Sequence, residues 1–588
     1  MIPLASTASN LPPPPLAPLW QYLAFWLLAA TGAVGFAASY LYTTGLWELL
    51  LRNGEPAWYL AKGFTRAQTI DYLGAQFWST NGCLVAILAW LGLLFHLGQK
   101  LWSSPGPAGP SRAARISVGA SILGLFIGFC LSWGFELDDK WITYRTSLNI
   151  LATGLPVWNL GEKVNLSTSF VWPYLCTLGH LLGNWNTVVK IIGFLFVLGT
   201  AGVTWRLIPH RTYALIGACG VTLFYPLVLW SLGGLETSLA TFYLSLCVLL
   251  FLRSEGRSLT ALALMGAVMF VRPDLVLVGA GVLTLMLLTG DSLRFMIKAV
   301  VAYALPIGVF LLFHQTVFGV PFPRPFYMKG LRKTSSPDFG TINEIFTGSI
   351  HLNAALTLFL LALAVFVVVL LTHLRARRSP SLAIWGAGLG LFLHLGYTHV
   401  CGYQHMAFGF RYYVPTVVTG FLLLLFCQAK LRENLSGSRF EYGFLLTLLA
   451  LQSGLFVFTA RQGQTKTMSM TRCILRDTFS LNAYAGWMKS WIDSGRYLAG
   501  IAKPDETLFT WANLVAPSVS TVYAIDQFYM PQALSTRPEI AGSSDKLETY
   551  TYILTSPDEA AALSARFPHH YILKEYPNLC ILRQKADK

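Results

Sequence analysis

The sequence predicts a polytopic α-helical membrane protein that carries a small α/β segment toward its C-terminal end. Of its 588 residues, 54% are hydrophobic and only 12% are charged, whereas soluble domains carry about 25% charged residues. Apolar runs of about 17 to 25 residues, the length that spans a bilayer, recur along the chain. Lys and Arg collect in alternate loops between these runs, as they do in cytoplasmic loops.

About thirteen spans can be placed on the apolar runs. They lie near residues 19–42, 80–98, 116–134, 187–208, 212–231, 236–252, 258–271, 274–290, 296–316, 352–373, 381–399, 413–428 and 440–459. Residues 1–18 are rich in proline and lack a basic signal-peptide start, so we expect a disordered cytoplasmic tail. The aromatic, proline-containing run at 166–182 is predicted to lie along the membrane surface.

The alternation of basic loops places the loop at 135–186 and the C-terminal residues 460–588 on the outer side of the membrane. Short strand-like runs beyond residue 480 predict a small α/β domain that covers or shapes a site on this face. We therefore expect a multi-pass membrane protein whose C-terminus lies on the periplasmic or extracellular side. The net charge of +15 is spread over short loops, which favours membrane lipid over nucleic acid as its partner.

The outer loop at 135–186 opens with two adjacent acids, Asp138 and Asp139. Like charges side by side raise each other's pKa unless a cation or a substrate compensates them, so such a pair at the end of a span is a candidate catalytic site. An ordinary solvated loop is the alternative interpretation. Arg145 follows Asp138 by seven positions and would face the same way if the whole segment were helical. It could bind a substrate phosphate or form a structural salt bridge with the acid pair.

Further charged residues gather in the other predicted outer loops. They are Glu236 in G-G-L-E-T, Arg272 and Asp274 in V-R-P-D, Arg324 and Lys329 in a basic loop, and His405 and Arg411 in C-G-Y-Q-H-M-A-F-G-F-R-Y-Y. Basic residues in an outer loop oppose the usual trend and favour phosphate binding. Two of these motifs also have structural interpretations, because Glu236 could cap a helix and Arg272 could pair with Asp274.

Metal or redox chemistry through cysteine is not indicated. The nine cysteines are scattered, without a C-x-x-C pair. The sequence therefore predicts that no cofactor is required, although a divalent cation between the carboxylates and a phosphate would be compatible with the acid pair.

These motifs resemble the GT-C superfamily of membrane glycosyltransferases. D-D-K-W-I-T-Y-R at 138–145, G-L-P-V-W-N-L-G-E-K-V-N at 154–165 and S-T-S-F-V-W at 167–172 are similar to the first outer loop of the mycobacterial terminal arabinofuranosyltransferase family and its Gram-negative relatives, some resembling enzymes that arabinosylate pilin. G-G-L-E-T, V-R-P-D and F-R-Y-Y-V-P look like later elements of that family, in the same order. Lys140 departs from the small or aromatic residue that usually follows the acid pair.

The resemblance implies a GT-C type fold, a polyprenyl-phosphate sugar donor and a catalytic acid pair. The sugar implied is arabinofuranose, and the acceptor would be a periplasmic glycan or protein, a pilin being one candidate. A lipid-linked oligosaccharide polymerase or ligase is the alternative enzyme, and it would depend on Arg and His in a late outer loop. A transporter of lipid-linked sugars would place charges at mid-membrane, but here they lie at helix ends.

Overall fold

The computed structural model describes residues 133, 137–288, 292–330, 382–400, 411–431, 481–503, 505–510, 515–520, 522–526, 547, 549–577 and 579–585. They all belong to one compact unit, Pro110–Lys588. The predicted tail at 1–18, the spans at 19–42, 80–98, 352–373 and 440–459, and almost all of the span at 116–134 lie outside the described residues. The predicted total of about thirteen spans therefore stays a prediction.

The described part begins with twelve α-helices, after which an α/β domain follows. The helices are α1 (Lys140–Thr153), α2 (Val171–Leu181), α3 (Trp185–Leu207), α4 (Arg211–Leu223), α5 (Tyr225–Leu232), α6 (Thr237–Arg253), α7 (Leu259–Ala267), α8 (Val276–Leu288), α9 (Leu293–Phe318), α10 (Arg324–Gly330), α11 (Leu382–Val400) and α12 (Val414–Leu431). Short 3-10 turns, Val268–Phe270 and Pro273–Leu275, lie between α7 and α8.

Eight predicted spans coincide with these helices to within a few residues. Within the described residues, α3 and α9 are long and apolar enough to cross a membrane, and six more helical segments are apolar but shorter. The predicted span at 212–231 is interrupted, because Pro226 starts a new helix, α5, in its first turn. Proline fits the first turn of a helix, where its missing N–H costs nothing, but not the interior.

Helix α6 forms the centre of the helical part. Fourteen of its seventeen residues are buried, and α3, α7 and α12 pack around it. A helix that is apolar all round is expected in such a position. Glu236 occupies the N-cap position of this buried helix, so the helix holds one of the predicted site residues.

Helix α1 is the first element of the predicted catalytic loop. Asp139 occupies its N-cap position, and the backbone N–H of Trp141 donates to the carbonyl of Asp138 at 2.9 Å. The helix ends at Gly154, whose φ of 76° lies in the left-handed region, where glycine has no Cβ penalty.

Helix α2 packs against α1 and leaves an apolar edge exposed. Trp172 and Cys176 are fully buried, while Leu178 and Leu182 are 44% and 70% exposed. This division is typical of a helix that lies on a membrane surface, and the predicted surface position of α2 stays a prediction.

His180 connects α2 to α1 through hydrogen bonds and ring contacts. Its burial should make the stability of the folded protein depend on pH. Its Nε2–H donates to the Tyr144 carbonyl at 3.2 Å and lies 3.0 Å from the Ser147 hydroxyl, and its ring packs on Tyr144 and Trp185. Burial lowers the pKa of His180 from 6.5 to about 4, against the opposing effect of the Tyr144 hydrogen bond. The unfolded chain therefore binds more protons between these values, so stability should fall as pH falls from about 6.5 to about 4.

We expect the Tm of the detergent-solubilised protein to drop between pH 7 and pH 5, and the His180→Gln variant to lose much of this drop. His569→Gln, at an exposed histidine, is the matched control and should keep the wild-type slope. Equal slopes for wild type and His180→Gln would show that His180 does not cause the pH dependence.

The C-terminal domain contains a five-stranded mixed sheet with helices on both faces. The strands are β1 (Thr507–Thr510), β2 (Tyr523–Asp526), β3 (Tyr552–Thr555), β4 (His570–Tyr576) and β5 (Leu579–Gln584), and the helices are α13 (Leu481–Ile501), α14 (Val515–Ser520) and α15 (Pro557–Arg566). The strand order is β2-β1-β3-β5-β4, with β1 parallel to both its neighbours and the remaining pairs antiparallel.

The two faces of this sheet contribute to two different hydrophobic cores. Leu508, Tyr552 and Ile581 belong to one core, which Leu498 of α13 completes. Their neighbours in the strands, Phe509, Ile553 and Leu582, point to the other face, as the two-residue period of a strand requires. That second core also contains Ile142, Trp158, Val164 and Leu166 from the predicted catalytic loop. The loop and the C-terminal domain therefore share one core.

Candidate active site

A polar pocket lies where the N-terminal end of α1 meets the ends of several other helices. It encloses about 360 Å³, part of which is open to solvent, and is lined by Asp139, Ile142, Thr143, Leu166, Ser167, Thr168, Leu235, Glu236, Pro325 and Arg411. Three of the predicted site residues, Asp139, Glu236 and Arg411, thus face one cavity.

Asp139 and Arg411 form an ion pair in this pocket. The Arg411 Nη1 donates to Asp139 Oδ2 at 2.5 Å, and the partners are 272 residues apart in the chain. The Arg411 guanidinium is buried and lies over the rings of Tyr412 and Trp230, at 5.3 and 5.7 Å from their centres. Its Nε is buried without a hydrogen-bond partner among the described residues. A buried cation with an unused hydrogen-bond donor, Arg411, therefore lies beside the Asp139 carboxylate.

The groups around Arg411 favour its protonated, positively charged form. Burial lowers the pKa of Arg411, but Tyr412, Asp139 and Glu236 outweigh burial, so its pKa lies above the ordinary value. Glu236 also acts on Arg272, whose pKa is raised by Asp274 and Glu236 against the effect of burial. The Glu236 carboxylate is therefore close enough to influence both guanidinium groups.

The two acids of the D-D motif occupy different positions. Asp139 lines the pocket, whereas the Asp138 carboxylate accepts a hydrogen bond from the backbone N–H of Asp139 at 2.8 Å. Asp138 is part of the turn that starts α1 and is not among the pocket-lining residues. The structure therefore distinguishes Asp139 as the acid that lines the pocket, whereas the sequence alone could not say which of the two acids is more important.

A glycine turn presents Glu236 to the pocket. Gly234 has a φ of +74°, and a Cβ at this position would lie 3.0 Å from the side chain of Lys140. The Gly234 carbonyl accepts a hydrogen bond from Trp172 Nε1 at 3.0 Å. Glu236 occupies the N-cap position of α6, but its side chain makes no capping hydrogen bond. Instead Glu236 Oε1 accepts from the Thr168 hydroxyl at 3.5 Å.

Arg272 and Asp274 form a second ion pair, which continues into a buried network. Arg272 Nε donates to both carboxylate oxygens of Asp274, at 2.9 and 3.2 Å, and stacks over Tyr412 at 4.8 Å. Asp274 Oδ2 lies 3.2 Å from His394 Nε2, and His394 Nδ1 lies 2.7 Å from the Thr416 hydroxyl. Tyr412 therefore contacts the guanidinium groups of both Arg272 and Arg411. The network connects the 3-10 turn Pro273–Leu275 with α11 and α12.

His394 and the small hydroxyl residues of the pocket are absent from the sequence-based prediction. His394 occurs singly in an apolar helix run, L-F-L-H-L, where a histidine most often has a structural role. Thr143 lies in the D-D-K-W-I-T-Y-R motif, and Ser167 and Thr168 lie in the S-T-S-F-V-W motif, so membership in these motifs is the signal that could have found them.

Arg145 lies away from the pocket. Its guanidinium donates four hydrogen bonds of 2.6 to 2.9 Å to oxygen atoms of Trp158, Asn159, Pro517 and Val522. Helix α1 begins at Lys140, so Asp138 precedes the helix. The seven-residue spacing therefore does not place Arg145 on the same helix face as Asp138. The structure places Arg145 against the C-terminal domain.

The basic loop reaches the pocket through its first residues. The Arg324 N–H donates to the Asn165 carbonyl at 3.2 Å, and the next residue, Pro325, lines the pocket. The Arg324 guanidinium is half-buried and lies 5.8 Å from the Tyr327 ring centre. Lys329 lies in α10, but its side chain, like all of His405, is outside the described residues. Their predicted roles stay predictions.

Candidate metal-ligating side chains are dispersed in the described part of the chain. In these segments no three His, Cys, Asp or Glu side chains are grouped so that they could hold a metal ion. Asp139 and Glu236 are the two carboxylates that line the pocket.

The fold of this chain resembles that of a solved protein structure. The structure is similar to a crystal structure of ArnT from Cupriavidus metallidurans bound to undecaprenyl phosphate, with a TM-score of 0.50 and 14% sequence identity, covering 80% of this chain and 98% of ArnT. This likeness confirms the predicted GT-C type fold.

The sequence also resembles two curated proteins, each named terminal β-(1→2)-arabinofuranosyltransferase. The protein from Mycobacterium tuberculosis is 28% identical over 295 residues, and the protein from Corynebacterium glutamicum is 27% identical over 330 residues. These matches cover 45% and 48% of this chain, and the chain spans 46% and 47% of the relatives' lengths. No family model matches the chain. The predicted resemblance to this family is confirmed.

Proposed function

We propose that this protein transfers a sugar, arabinofuranose, from a polyprenyl-phosphate donor to a glycan or protein acceptor on the periplasmic side of a bacterial inner membrane. The observation that carries the proposal is the pocket in which Asp139 is paired with Arg411 beside Glu236. A carboxylate next to a cation at helix ends is what transfer from a lipid phosphate requires. The named relatives support the sugar, and the ArnT complex with undecaprenyl phosphate supports the donor class.

In this proposal Asp139 is the general base. Its carboxylate takes the proton of the acceptor hydroxyl while the acceptor oxygen bonds to the anomeric carbon. The bond between that carbon and the phosphate oxygen breaks, and the electron pair leaves with the polyprenyl phosphate. A single displacement of this kind inverts the anomeric configuration.

Arg411 is proposed to neutralise the leaving phosphate. Its guanidinium lies in a buried environment with an Nε that has no partner within the described chain, and bidentate geometry suits a phosphate. Arg324, Lys329 and His405 are proposed to contact the same phosphate or the lipid-proximal part of the donor. Glu236, with Thr168 beside it, is proposed to bind sugar hydroxyls. Arg272 and Asp274 are not among the lining residues, and they are proposed to support Arg411 through the Tyr412 ring that both arginines contact.

The test is a donor-cleavage assay. Purified protein in detergent is incubated with a short-chain polyprenyl-phosphoarabinofuranose, with and without a periplasmic membrane extract as the source of acceptor, and released polyprenyl phosphate and labelled product are measured. Acceptor-dependent release supports the proposal. Parallel reactions contain polyprenyl-phosphate hexoses, and a preference for one of these would replace arabinofuranose. No release from any of these donors would contradict the transferase function.

The site offers positive charge from arginine, so chelation should have little effect. We expect EDTA treatment followed by desalting to change the donor-cleavage rate by less than about twofold, since guanidinium groups can stabilise the developing phosphate charge. A loss that Mg²⁺ or Mn²⁺ restores would instead place a divalent cation between Asp139 and the donor phosphate.

A further inference from the structure

Arg145 connects helix α1 to the C-terminal domain. Its side chain is 3% exposed, and it donates to the Pro517 carbonyl of α14 at 2.6 Å and to the Val522 carbonyl, just before β2, at 2.9 Å. It also donates to the Trp158 carbonyl and to Asn159 Oδ1, both at 2.6 Å. The Arg145 guanidinium group thus links α1 to the segment that follows it, to α14 and to the residue before β2.

The segment after α1 pairs with strand β2 through side chains. Asn159 Nδ2 donates to the Ala524 carbonyl at 3.1 Å, and the Ala524 N–H donates to Asn159 Oδ1 at 3.2 Å. Trp158 Nε1 donates to the same Ala524 carbonyl at 3.1 Å, and its ring lies 4.5 Å from the Arg145 guanidinium. The Asn159 side chain therefore pairs with both backbone groups of Ala524, as a neighbouring strand would. These bonds attach the loop at 135–186 to the edge strand β2.

Two residues that line the pocket also belong to the core that the loop shares with the sheet. Ile142 and Leu166 line the pocket beside Asp139, and both belong to the core that Phe509, Ile553 and Leu582 of the sheet complete. A protein core is densely packed and does not deform gradually, so a displacement of the sheet would move these two side chains. Asp139 begins the helix that carries Ile142.

We propose that the C-terminal α/β domain is a positioning element of the active site, and that Arg145 is the positioning residue through which it fixes α1 and hence Asp139. This proposal rests on the proposed function and deepens it. Arg145 acts through the helix and touches neither donor nor acceptor, which differs from the phosphate contact suggested by the sequence. The domain thereby contributes to the rate of the chemical step without supplying a reacting group.

The test compares kcat and KM for the donor in wild type, Arg145→Ala and Asn159→Ala, using the full-length protein and the donor-cleavage assay. Both variants should lower kcat by about 10- to 100-fold, because small misplacements of a reacting group cost that much. The donor KM should change by less than about threefold, since neither residue contacts the donor. Arg566→Ala, at an exposed arginine of α15, is the matched control and should behave as wild type.

Chemical rescue separates positioning from loss of folding. Millimolar guanidinium chloride should restore part of the kcat of Arg145→Ala, because the ion can occupy the vacated hydrogen-bonding site, whereas sodium chloride at the same concentration should not. Arg145 and Asn159 share partners, so the double variant should lose much less than the product of the two single losses.

Several results would overturn the proposal. A donor KM raised tenfold or more in Arg145→Ala with kcat unchanged would make Arg145 a donor-phosphate ligand. If Arg145→Ala does not fold, Asn159→Ala decides alone, because an asparagine cannot neutralise a phosphate, and an unchanged kcat in this variant would contradict positioning. Inactive wild type would instead contradict the proposed function, so the two failures are distinguishable.

Discussion

Replacement of Asp139 by Asn should lower kcat for donor cleavage by about 1,000-fold, within the range that removal of a general base produces. The substitution keeps the size of the side chain and its hydrogen bond from Arg411 but removes the ability to accept a proton. The measurement is single-turnover release of polyprenyl phosphate by wild type and variant, each shown to be folded by its Tm in detergent.

Asp138→Asn is the matched control for this prediction. The Asp138 carboxylate accepts from the Asp139 N–H at 2.8 Å and does not line the pocket, so we expect a loss of about tenfold at most, the cost of a weakened turn. A larger loss in Asp138→Asn than in Asp139→Asn would exchange the roles of the two acids. Equal large losses would mean that the pair acts as one unit.

Replacement of Arg411 by Ala should lower kcat/KM by about 100-fold or more, as removal of one preorganised charge from a water-poor site does. The variant also leaves the Asp139 carboxylate without the guanidinium that neutralises it, which should lower Tm. Arg411→Lys should recover part of both losses, because it restores the charge but not the planar fork.

Lys430, in the last turn of α12, provides the control for Arg411, which lies just before that helix. It pairs with Glu255 at 3.5 Å, and both side chains are exposed to solvent. Exposed pairs contribute little, so Lys430→Ala should change neither kcat/KM nor Tm measurably. If Arg411→Ala retained wild-type kcat/KM, the phosphate would have to be neutralised by Arg324, Lys329 or another cation.

The helices and the short-range pair of the site could be predicted from the sequence. Eight predicted apolar runs coincide with helices to within a few residues, one of them being divided between α4 and α5, since burial or membrane insertion depends on local composition. Arg272 and Asp274 pair across a proline turn, as their two-residue separation allowed. Glu236 could be recognised because two glycines precede it.

The long-range parts of the site could not be derived from spacing. Asp139 and Arg411 are 272 residues apart, and nothing in the local pattern of either segment specifies the other. Arg145 was assigned by helical spacing from Asp138, but the helix starts two residues later, at Lys140. His394 is indistinguishable in sequence from a core histidine until Asp274 and Thr416 are found beside it.

The shared core between the loop and the sheet has a consequence for biogenesis. Arg145 and Val522 are separated by 377 residues, so the loop cannot reach its final packing until the ribosome has made the residues of the C-terminal sheet. Contacts this distant form late and slowly. During synthesis and membrane insertion the half-made protein would therefore present the site residues without their final geometry. Nascent chains should consume no lipid-linked donor, and activity should arise only when the last strands have folded.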